Sequence, residues 1–555
     1  MTTTRLRLVS PCLLPLLLLL LLSSNPTYAD WVDPDTPWEA RTTAPLNVKP
    51  PPRPPPSPEK SKHHHHHHYH HPKTHVPTIT PAPTASRTPS ASPSGTPTQY
   101  PTFTPKTFEL VFSDEFNMAG RAFTDGADPR WTALDKNDYT NDALHYYTPE
   151  NVATKDGHLV ITTEAADTDI IGFNDVKGKK EHVSKHFRSA MVQSWNKFCF
   201  TGGIIEAEVI MPGKGDTSGL WPAFWLLGNL ARHTYVGSAN HMWPWASTTC
   251  TATSFDAQAI SGCDRVEHYG MEAGVGRGSP EMDIFEVQPG SAKGNTGNFL
   301  KSPVGQPFMS NSYQVAPGRP GNRPGPGEWP GPGQWYNGLI GGANATVNIM
   351  FYGAYNHFIS GFKKDYWSDA ISYNRQLTTE HFTKPSVYRL EWDVPSNTTD
   401  GYLHWFLDNE LVFALDGKGL TAAGLGSAIS SEPSYILMNT AVSKQWGFPL
   451  DCDGACKCKE FDCHATDWQS ICAFPAGFCD MMKKETGPPE YKINWVRVYQ
   501  DPDNPTQKVG CSTPERPTRR YIEAHADLYK TEYDKAPLKT VPRGSGKCDT
   551  IVNLR

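Results

Sequence analysis

The chain has 555 residues, a formal net charge of −6 and a pI of about 6.4. This mild acidity gives no reason to expect a nucleic acid or an anionic surface as a partner, because such partners attract clustered positive charge. Aromatic residues make up 11% of the chain and include 16 Trp and 22 Tyr. That content suits both a large β-sheet core and the stacking of side chains on sugar rings.

The N-terminus predicts entry into the secretory pathway. Arg5 and Arg7 precede an apolar run at 12–22, and the sequence ending at Ala29 resembles a cleavage site. The run is shorter than the ~20 apolar residues of a membrane span. We therefore predict a signal peptide at 1–29, followed by an extracellular or cell-wall location. The alternative is an uncleaved signal anchor, which would associate the protein with an endomembrane or the plasma membrane. Two sequons predict glycosylation at Asn344 and Asn397.

Residues 30–106 form an N-terminal segment whose larger part, 45–106, is rich in Pro, Ser and Thr. Such a composition does not bury enough apolar surface to fold, so we predict a disordered linker or stalk. A histidine run occupies 63–68. Metal binding and a charge change at acidic pH are two interpretations of it. A functionless homopolymeric expansion is favoured over both, and over a misplaced tag.

Between 107 and 500, short apolar or alternating runs follow one another, separated by Gly, Pro, Asn and Asp. Many short strands with turn signals predict an all-β sandwich or barrel, here a single large domain. Asp408-Asn409 separates two such runs and predicts a hairpin turn, because Asn tolerates positive φ. A Pro/Gly-rich stretch at 317–334 predicts an irregular loop, and 452–479 is a second long insertion. The expected runs are Phe108–Phe112, Leu159–Thr163, Gly203–Ile210, Leu220–Leu227, Met282–Val287, Thr346–Tyr352, Val387–Trp392, Tyr402–Leu407, Leu411–Leu415, Tyr435–Val442 and Ile493–Tyr499.

The hexapeptide Glu281-Met-Asp-Ile-Phe-Glu286 carries three carboxylates separated by apolar residues. Glu281 and Asp283 share a face of a regular strand, whereas Glu286, five positions from Glu281, would point to the opposite face. One β-bulge between Asp283 and Glu286 would restore a common face. The two glutamates would then lie about 13 Å apart at Cα, for ~3.3 Å per step.

Side chains leaning together would bring the two carboxyl groups to ~5–6 Å, near the ~5–5.5 Å of a retaining glycosidase. Asp283 between them would tune a neighbouring pKa through its charge. The alternative interpretation is a solvated acidic face on an edge strand, which short motifs alone do not exclude.

Eleven cysteines follow the predicted leader, six of them between 452 and 479. In an oxidising compartment they predict disulfides, and the odd number leaves one thiol free or paired with another chain. A metal knuckle around Cys456, Cys458 and His464 is the less favoured alternative, because no paired C-x2-C arrangement is present. We therefore expect no metal. The C-terminal extension at 501–555 carries Cys511 and Cys548 and is predicted to pack on the domain.

Several motifs together resemble glycoside hydrolase family 16. The hexapeptide matches that family's E-x-D-x-x-E signature, and Gly219–Gly228 resembles its substrate-binding strand. Within the family, the sequence is most similar to the fungal-type β-1,6-glucan synthesis-associated proteins. Further segments that carry this resemblance are Val32–Pro37, Leu110–Asn117, Val192–Lys197, Gly276–Pro280, Tyr313–Pro317, Tyr388–Trp392, His404–Asp408, Ile493–Gln500 and Tyr521–His525.

The resemblance implies a β-jelly roll of two packed antiparallel sheets, with a cleft across the concave one and long loop insertions. It implies a retaining glycosidase or transglycosylase that acts on β-1,3/β-1,6-glucan without a cofactor, in β-1,6-glucan biosynthesis and the organisation of cell-wall or storage glucan. Glu281 would be the nucleophile, Glu286 the acid and base, and Asp283 the assisting residue. Four tryptophans are expected to bind substrate, with core packing as the alternative: Trp221, Trp225, Trp195 and Trp243.

The chain also departs from the family pattern. Its leader is short, a long linker separates Trp31–Pro37 from the catalytic domain, and the six-cysteine insertion is unusual. We therefore consider two other functions as alternatives to the enzyme. One is a non-catalytic glucan-binding or wall-assembly protein on the same scaffold. The other is a secreted scaffold whose function resides in the stalk at 45–106.

Overall fold

The computed structural model describes residues 108–174, 179–217, 219–250, 261–263, 267–288, 307–318, 323–324, 328–332, 334, 339–349, 351–354, 368–423, 428–443, 463–464, 477–483 and 487–529. The predicted signal peptide, the N-terminal segment at 30–106 and the histidine run lie outside these residues. So do five of the cysteines that follow the leader: Cys452, Cys456, Cys458, Cys472 and Cys548. Within the described ranges, no helix has the length and hydrophobicity that crossing a bilayer requires.

The described part of the chain is built of strands. They are β1 (Glu109–Asp114), β2 (Thr132–Ala133), β3 (Lys136–Asn137), β4 (His145–Tyr147), β5 (Val152–Lys155), β6 (His158–Thr162), β7 (Glu164–Asn174), β8 (Lys179–Ser189), β9 (Met191–Gln193), β10 (Cys199–Thr201), β11 (Gly203–Ile210), β12 (Trp221–Gly228), β13 (Glu281–Gln288), β14 (Phe308–Val315), β15 (Ile340–Gly341), β16 (Ala345–Val347), β17 (Asp369–Gln376), β18 (Ser386–Asp393), β19 (Tyr402–Leu407), β20 (Glu410–Asp416), β21 (Ser434–Ala441), β22 (Glu490–Gln500) and β23 (Lys508–Val509).

Short helices connect them. The α-helices of the described residues are α1 (Val236–Met242), α2 (Gly417–Ala423), α3 (Phe478–Met481) and α4 (Arg519–Ala524). Single 3-10 turns lie at Thr140–Asp142, Pro149–Asn151, Ser261–Cys263, Thr379–Phe382 and Ala526–Tyr529.

Two large antiparallel sheets contain most of these strands. The first has the order β15-β20-β19-β18-β11-β22-β6-β5, with β1 pairing β22, and the second has the order β16-β17-β14-β13-β12-β21-β10-β23, with β9 joining β21 to β2. A smaller sheet, β3-β4-β8-β7, contains one parallel pair, β4 with β8. The all-β sandwich of two antiparallel sheets that the sequence predicts is confirmed.

The main hydrophobic core lies between the two large sheets. In β11 every second residue is buried, as expected of a strand with one face in the core. Ile205 and Leu390 of the first sheet and Phe224 and Met282 of the second are fully buried in the same cluster. A second apolar cluster covers the opposite face of the second sheet, which is the face that carries the hexapeptide's carboxylates.

The Asp408-Asn409 turn is confirmed. Leu407 pairs with Glu410 across the β19–β20 hairpin, and both turn residues have positive φ, 48° and 67°. The predicted strand at Thr346–Tyr352 is wrong beyond Val347. There the regular pairing with β17 ends, although the Asn348 backbone N–H still donates to the Ser372 carbonyl at 3.0 Å and its side chain donates to Ser310 Oγ at 3.3 Å.

The sequence did not predict strands β14 and β17 or the β7–β8 hairpin. Four of the eight residues of β14 are polar, namely Ser310, Asn311, Ser312 and Gln314, which weakens the hydrophobic signal although the whole strand is buried. The described side chains of the β7–β8 hairpin are mostly half-buried or exposed instead, and Ile171 is 69% exposed.

Three disulfides join described cysteines: Cys199–Cys511, Cys250–Cys263 and Cys463–Cys479. The expectation of disulfides is confirmed for these six residues. Cys199–Cys511 connects β10 to the C-terminal segment across 312 positions of sequence. Among the residues that the structure describes, no group of three or more His, Cys, Asp or Glu is arranged to hold a metal ion.

Candidate active site

A β-bulge in β13 brings the three carboxylates to one face. Asp283 pairs with Ser312 of β14, but Glu286 pairs with Ser310, so three steps on β13 match two on β14. The bulge that the odd spacing predicts is therefore confirmed. The apolar residues of β13 face the main core: Met282, Ile284, Phe285 and Val287.

Two core side chains donate to the carbonyls at this bulge. Trp405 Nε1, which reaches across from the first sheet, lies 2.8 Å from the carbonyl oxygen of Asp283. Asn311 Nδ2 of β14 donates to the carbonyl oxygen of Ile284. A bulge disrupts the strand ladder, and a buried carbonyl without a partner is unfavourable. We therefore name Trp405 and Asn311 the bulge clamp.

The hydrogen bonds of the three carboxyl groups differ. Glu281 accepts from Trp243 Nε1 and from Gln314 Nε2, the latter at 3.0 Å. Asp283 accepts from Ser312 Oγ and also from Gln314 Nε2, again at 3.0 Å. Glu286 accepts from Trp221 Nε1 at 3.1 Å. Donors stabilise the ionised form of a carboxyl group, and Glu281 and Asp283 each accept two such hydrogen bonds whereas Glu286 accepts one.

Burial and mutual repulsion raise the affinity of this site for protons. Burial, followed by the charges of Asp283 and Glu286, raises the pKa of Glu281 well above its usual range. Burial, followed by the charge of Asp283, does the same to the pKa of Glu286. Burial also raises the pKa of Asp283, against the hydrogen bonds from Ser312 and Gln314. Because each carboxylate opposes ionisation of its neighbours, protonating one makes the others easier to ionise.

Two of the four candidate tryptophans contact the carboxylates, and a third lies on the same face. Trp221 and Trp243 are half-buried and donate to Glu286 and Glu281. Trp225 shares a face of β12 with Trp221 and pairs in register with Asp283, but it is only 6% exposed. Its Nε1 donates to Asn439 Oδ1 at 2.8 Å, and its ring meets the edge of His233 at 5.0 Å.

Trp195 belongs to a different neighbourhood. Its ring stacks on Tyr529 at 5.4 Å, and the Arg232 guanidinium lies 4.5 Å from the ring centroid. These contacts join it to the C-terminal segment. The two sequon residues, Asn344 and Asn397, are both exposed.

Sequence reasoning missed four residues of the site: Gln314, Ser312, Asn311 and Trp405. The polar residues of β14 could have indicated the first two, because a strand buried on both faces rarely contains several polar residues without partners for them. Trp405 carries no such signal, since it contacts the site only through the packing of one sheet on the other.

The chain matches the model of one protein family, "Beta-glucan synthesis-associated protein SKN1/KRE6/Sbg1", over residues 58–452. It is 30% identical over 466 residues to Beta-glucan synthesis-associated protein KRE6 of Saccharomyces cerevisiae, which covers 80% of this chain and 54% of that protein. It is 29% identical over 441 residues to SKN1 of the same yeast, covering 76% and 47%. The chain thus spans about half the length of the curated relatives it matches.

Solved structures of lower similarity also align with it. The catalytic domain of an endo-1,3-beta-glucanase (laminarinase) from Thermotoga petrophila is 19% identical, with a TM-score of 0.37 over 72% of this chain and 100% of that chain. The endo-beta-1,3-glucanase from Pyrococcus furiosus is 17% identical, with a TM-score of 0.37 over 71% and 95%. The fold itself rests on the strand order and registers given above, and the family rests on the sequence matches. The chain belongs to the SKN1/KRE6/Sbg1 family of beta-glucan synthesis-associated proteins.

Proposed function

We propose that this protein is a retaining glycosidase or transglycosylase that acts on β-glucan through Glu281, Glu286 and Asp283. The observation that carries the proposal is the difference between the two glutamates. Glu281 accepts two hydrogen bonds and Glu286 accepts one, on a common face of one strand. Two carboxyl groups in unlike surroundings are what acid and nucleophile roles require. The names of the yeast relatives support β-glucan as the polymer.

In the first step, the Glu281 carboxylate attacks the anomeric carbon while Glu286 gives its proton to the glycosidic oxygen. The bond between that carbon and oxygen breaks, and a glycosyl ester forms on Glu281. A proton on Glu286 also favours ionisation of Glu281, because the charge of Glu286 is one cause of the raised pKa of Glu281. Asp283, held by Ser312 and Gln314, assists by orienting Gln314, whose amide also donates to Glu281.

In the second step, the Glu286 carboxylate takes a proton from an incoming hydroxyl, whose oxygen attacks the anomeric carbon and releases Glu281. Water as the acceptor gives hydrolysis, and a sugar hydroxyl gives transglycosylation. Addition of β-1,6 branches to β-1,3-glucan would be such a transfer. The predicted leader favours work in the secretory pathway or at the cell wall, and the sequons Asn344 and Asn397 are accessible for that environment.

The proposal is tested by trapping the ester. Incubation with an activated 2-deoxy-2-fluoro-glucoside should add one fluoroglycosyl mass to the peptide that contains Glu281, detected by mass spectrometry after digestion. Glu281→Gln should take no label, and Asp169→Asn, in the exposed β7, should be labelled like the wild type.

An unlabelled wild type, under conditions that label a known retaining enzyme, would contradict the proposal and favour the glucan-binding alternative. Where label is found, products from linear β-1,3-glucan separate the two reactions. Longer or branched chains identify transfer, and only shorter reducing sugars identify hydrolysis.

A further inference from the structure

We infer that the site receives the end of a glucan chain rather than an internal segment, because the carboxylate face is buried on both sides of β13. The inference rests on the proposed function and concerns its substrate. A glucan bound along its length needs an open path across the strands on either side of Glu281 and Glu286. The described residues on both sides are buried instead.

On the β21 side, the C-terminal segment covers the sheet. Leu227 and Tyr435 lie on the carboxylate face, and both pack in the apolar cluster that contains Leu528 and Tyr529. Tyr529 donates its hydroxyl proton to the Leu230 carbonyl at 2.7 Å, and Arg232 Nη1 donates to the Tyr529 carbonyl at 3.0 Å. The Cys199–Cys511 disulfide anchors the start of this segment to β10. Trp195, the tryptophan expected to bind sugar, is thereby stacked on Tyr529.

The rest of that side is covered by the segment that contains β3 and β4. Asn439 Nδ2 of β21 donates to the Tyr147 hydroxyl at 3.2 Å, and the same Asn439 holds the Trp225 indole. Trp225, Asn439 and Tyr147 are 6%, 5% and 1% exposed. Lys136 of β3 is 3% exposed, and its Nζ lies over the Tyr235 ring at 5.0 Å.

On the β14–β17 side, the residues of the carboxylate face are buried as well. Ser310, directly beside Glu286 in the ladder, accepts from Asn348 at 3.3 Å, and Ser372 Oγ donates to the Phe351 carbonyl at 3.4 Å. Ser310, Ser312 and Asn374 on this face are 1%, 1% and 2% exposed. The partly exposed residues at the centre are Glu281, Glu286, Trp221 and Trp243. That arrangement is a pocket over the reacting carboxylates, so a chain end fits and the remainder of the polymer stays in solvent.

A binding experiment tests the pocket without catalysis. Glu281→Gln is titrated with reduced laminari-oligosaccharides of two to eight glucose units by calorimetry. A pocket predicts that Kd stops improving after the first few units, whereas a groove open at both ends predicts continued improvement to the longest chain. The second result would overturn the inference even if the enzyme is active.

A product experiment tests the same point in the wild type. With a linear β-1,3-glucan labelled at its reducing end, action at chain ends changes length in one fixed increment from the earliest time, and viscosity falls slowly per bond broken. A broad set of internal products with an early fall in viscosity would overturn the inference while supporting the proposed function. No reaction and no covalent label would overturn the proposed function, and the inference with it.

The cover itself is tested at Tyr529. Tyr529→Ala removes the ring that covers Trp195, and Tyr529→Phe keeps the ring and loses only the hydrogen bond to Leu230. We expect Tyr529→Ala to increase the share of internal products severalfold and Tyr529→Phe to leave it near that of the wild type. Cys511→Ser, which releases the anchor at Cys199, should act in the direction of Tyr529→Ala. If the share of internal products were unchanged in both Tyr529→Ala and Cys511→Ser, the C-terminal segment would not have the covering role inferred for it.

Discussion

Two described strands each carry three carboxylates within six residues, and their surroundings separate them. In β13 these are Glu281, Asp283 and Glu286, and in β7 they are Glu164, Asp167 and Asp169. Both strands contain a register shift among the acids. The β7 strand lies at the edge of the small sheet, with the side chains of Asp167 and Asp169 62% and 60% exposed. The β13 strand lies inside the ten-stranded sheet, among buried donors.

The comparison shows that carboxylate spacing does not make a site by itself. For the hexapeptide of β13, the alternative interpretation is a solvated acidic face. That interpretation fits β7. Burial between β12 and β14 supplies what β7 lacks: raised pKa values at Glu281 and Glu286, and indole and amide donors aimed at individual oxygens. Four predictions sharpen this difference, from the largest expected effect to the smallest.

The largest effect is expected at the carboxylates themselves. Glu281→Gln and Glu286→Gln should each lower the rate of glucan conversion by on the order of 10²–10⁴-fold, the range expected for loss of proton transfer, or by more for the nucleophile. Asp167→Asn and Asp169→Asn should leave the rate unchanged. Product formation from β-1,3-glucan measures both. A β7 variant as damaging as a β13 variant would remove the contrast between the strands.

The bulge clamp should affect turnover through geometry. Trp405→Phe keeps an aromatic ring in the core and removes the donor to the Asp283 carbonyl. We expect kcat to fall by about 10–100-fold, since misplacement of a catalytic group by ~1 Å costs on that order, with KM little changed. Leaving the buried carbonyl unpaired should lower the free energy of unfolding by about 1–3 kcal/mol.

Trp392→Phe is the matched control for the clamp. Trp392 is also fully buried in the first sheet, and its Nε1 donates to the Ser430 carbonyl at 2.9 Å, away from β13. We expect a similar loss of stability and an unchanged kcat. An equal loss of kcat in Trp405→Phe and Trp392→Phe would mean that Trp405 has only a structural role.

The raised pKa of Glu286 predicts a pH-dependent gain of stability on its removal. The folded protein holds this proton to a higher pH than the unfolded chain, in which a glutamate titrates near 4.5. Folding stability therefore falls as pH rises above 4.5, through the raised pKa. Glu286→Gln should match the wild type near pH 4 and melt at a higher temperature at pH 7.5, by about 2–4 °C per kcal/mol regained. If the difference in Tm between Glu286→Gln and the wild type became smaller as pH rises, the prediction would be wrong.

The smallest effect is expected in the hairpin. The His186–Asp167 pair, 2.7 Å long, lies in solvent, where such pairs contribute roughly 0.2–1 kcal/mol. Asp167→Asn should therefore change the free energy of unfolding by less than about 1 kcal/mol in urea titrations, and 1 M salt should erase most of the change. A loss comparable to that of Trp405→Phe would mean that β7 is more than a solvated strand.

Much of this molecule could be predicted from local patterns. A strand alternates its side chains with period two, so the five-residue step from Glu281 to Glu286 required a bulge before any fold was known. The same periodicity located β11 and β19, and Asp408-Asn409 marked its hairpin turn. The cysteine content indicated disulfides, and the grouped motifs indicated the family.

Tertiary structure decided what the acids contact. Gln314 and Trp243 are 33 and 38 positions from Glu281, and the Trp405 indole reaches Asp283 across the core from 122 positions away. Cys199 meets Cys511 across 312 positions, and this brings Tyr529 onto Trp195. Local alternation fixes the face on which a side chain lies, because it depends only on neighbouring peptides. Burial, donors and covering segments depend on strands that pair from distant parts of the chain, which no local pattern encodes.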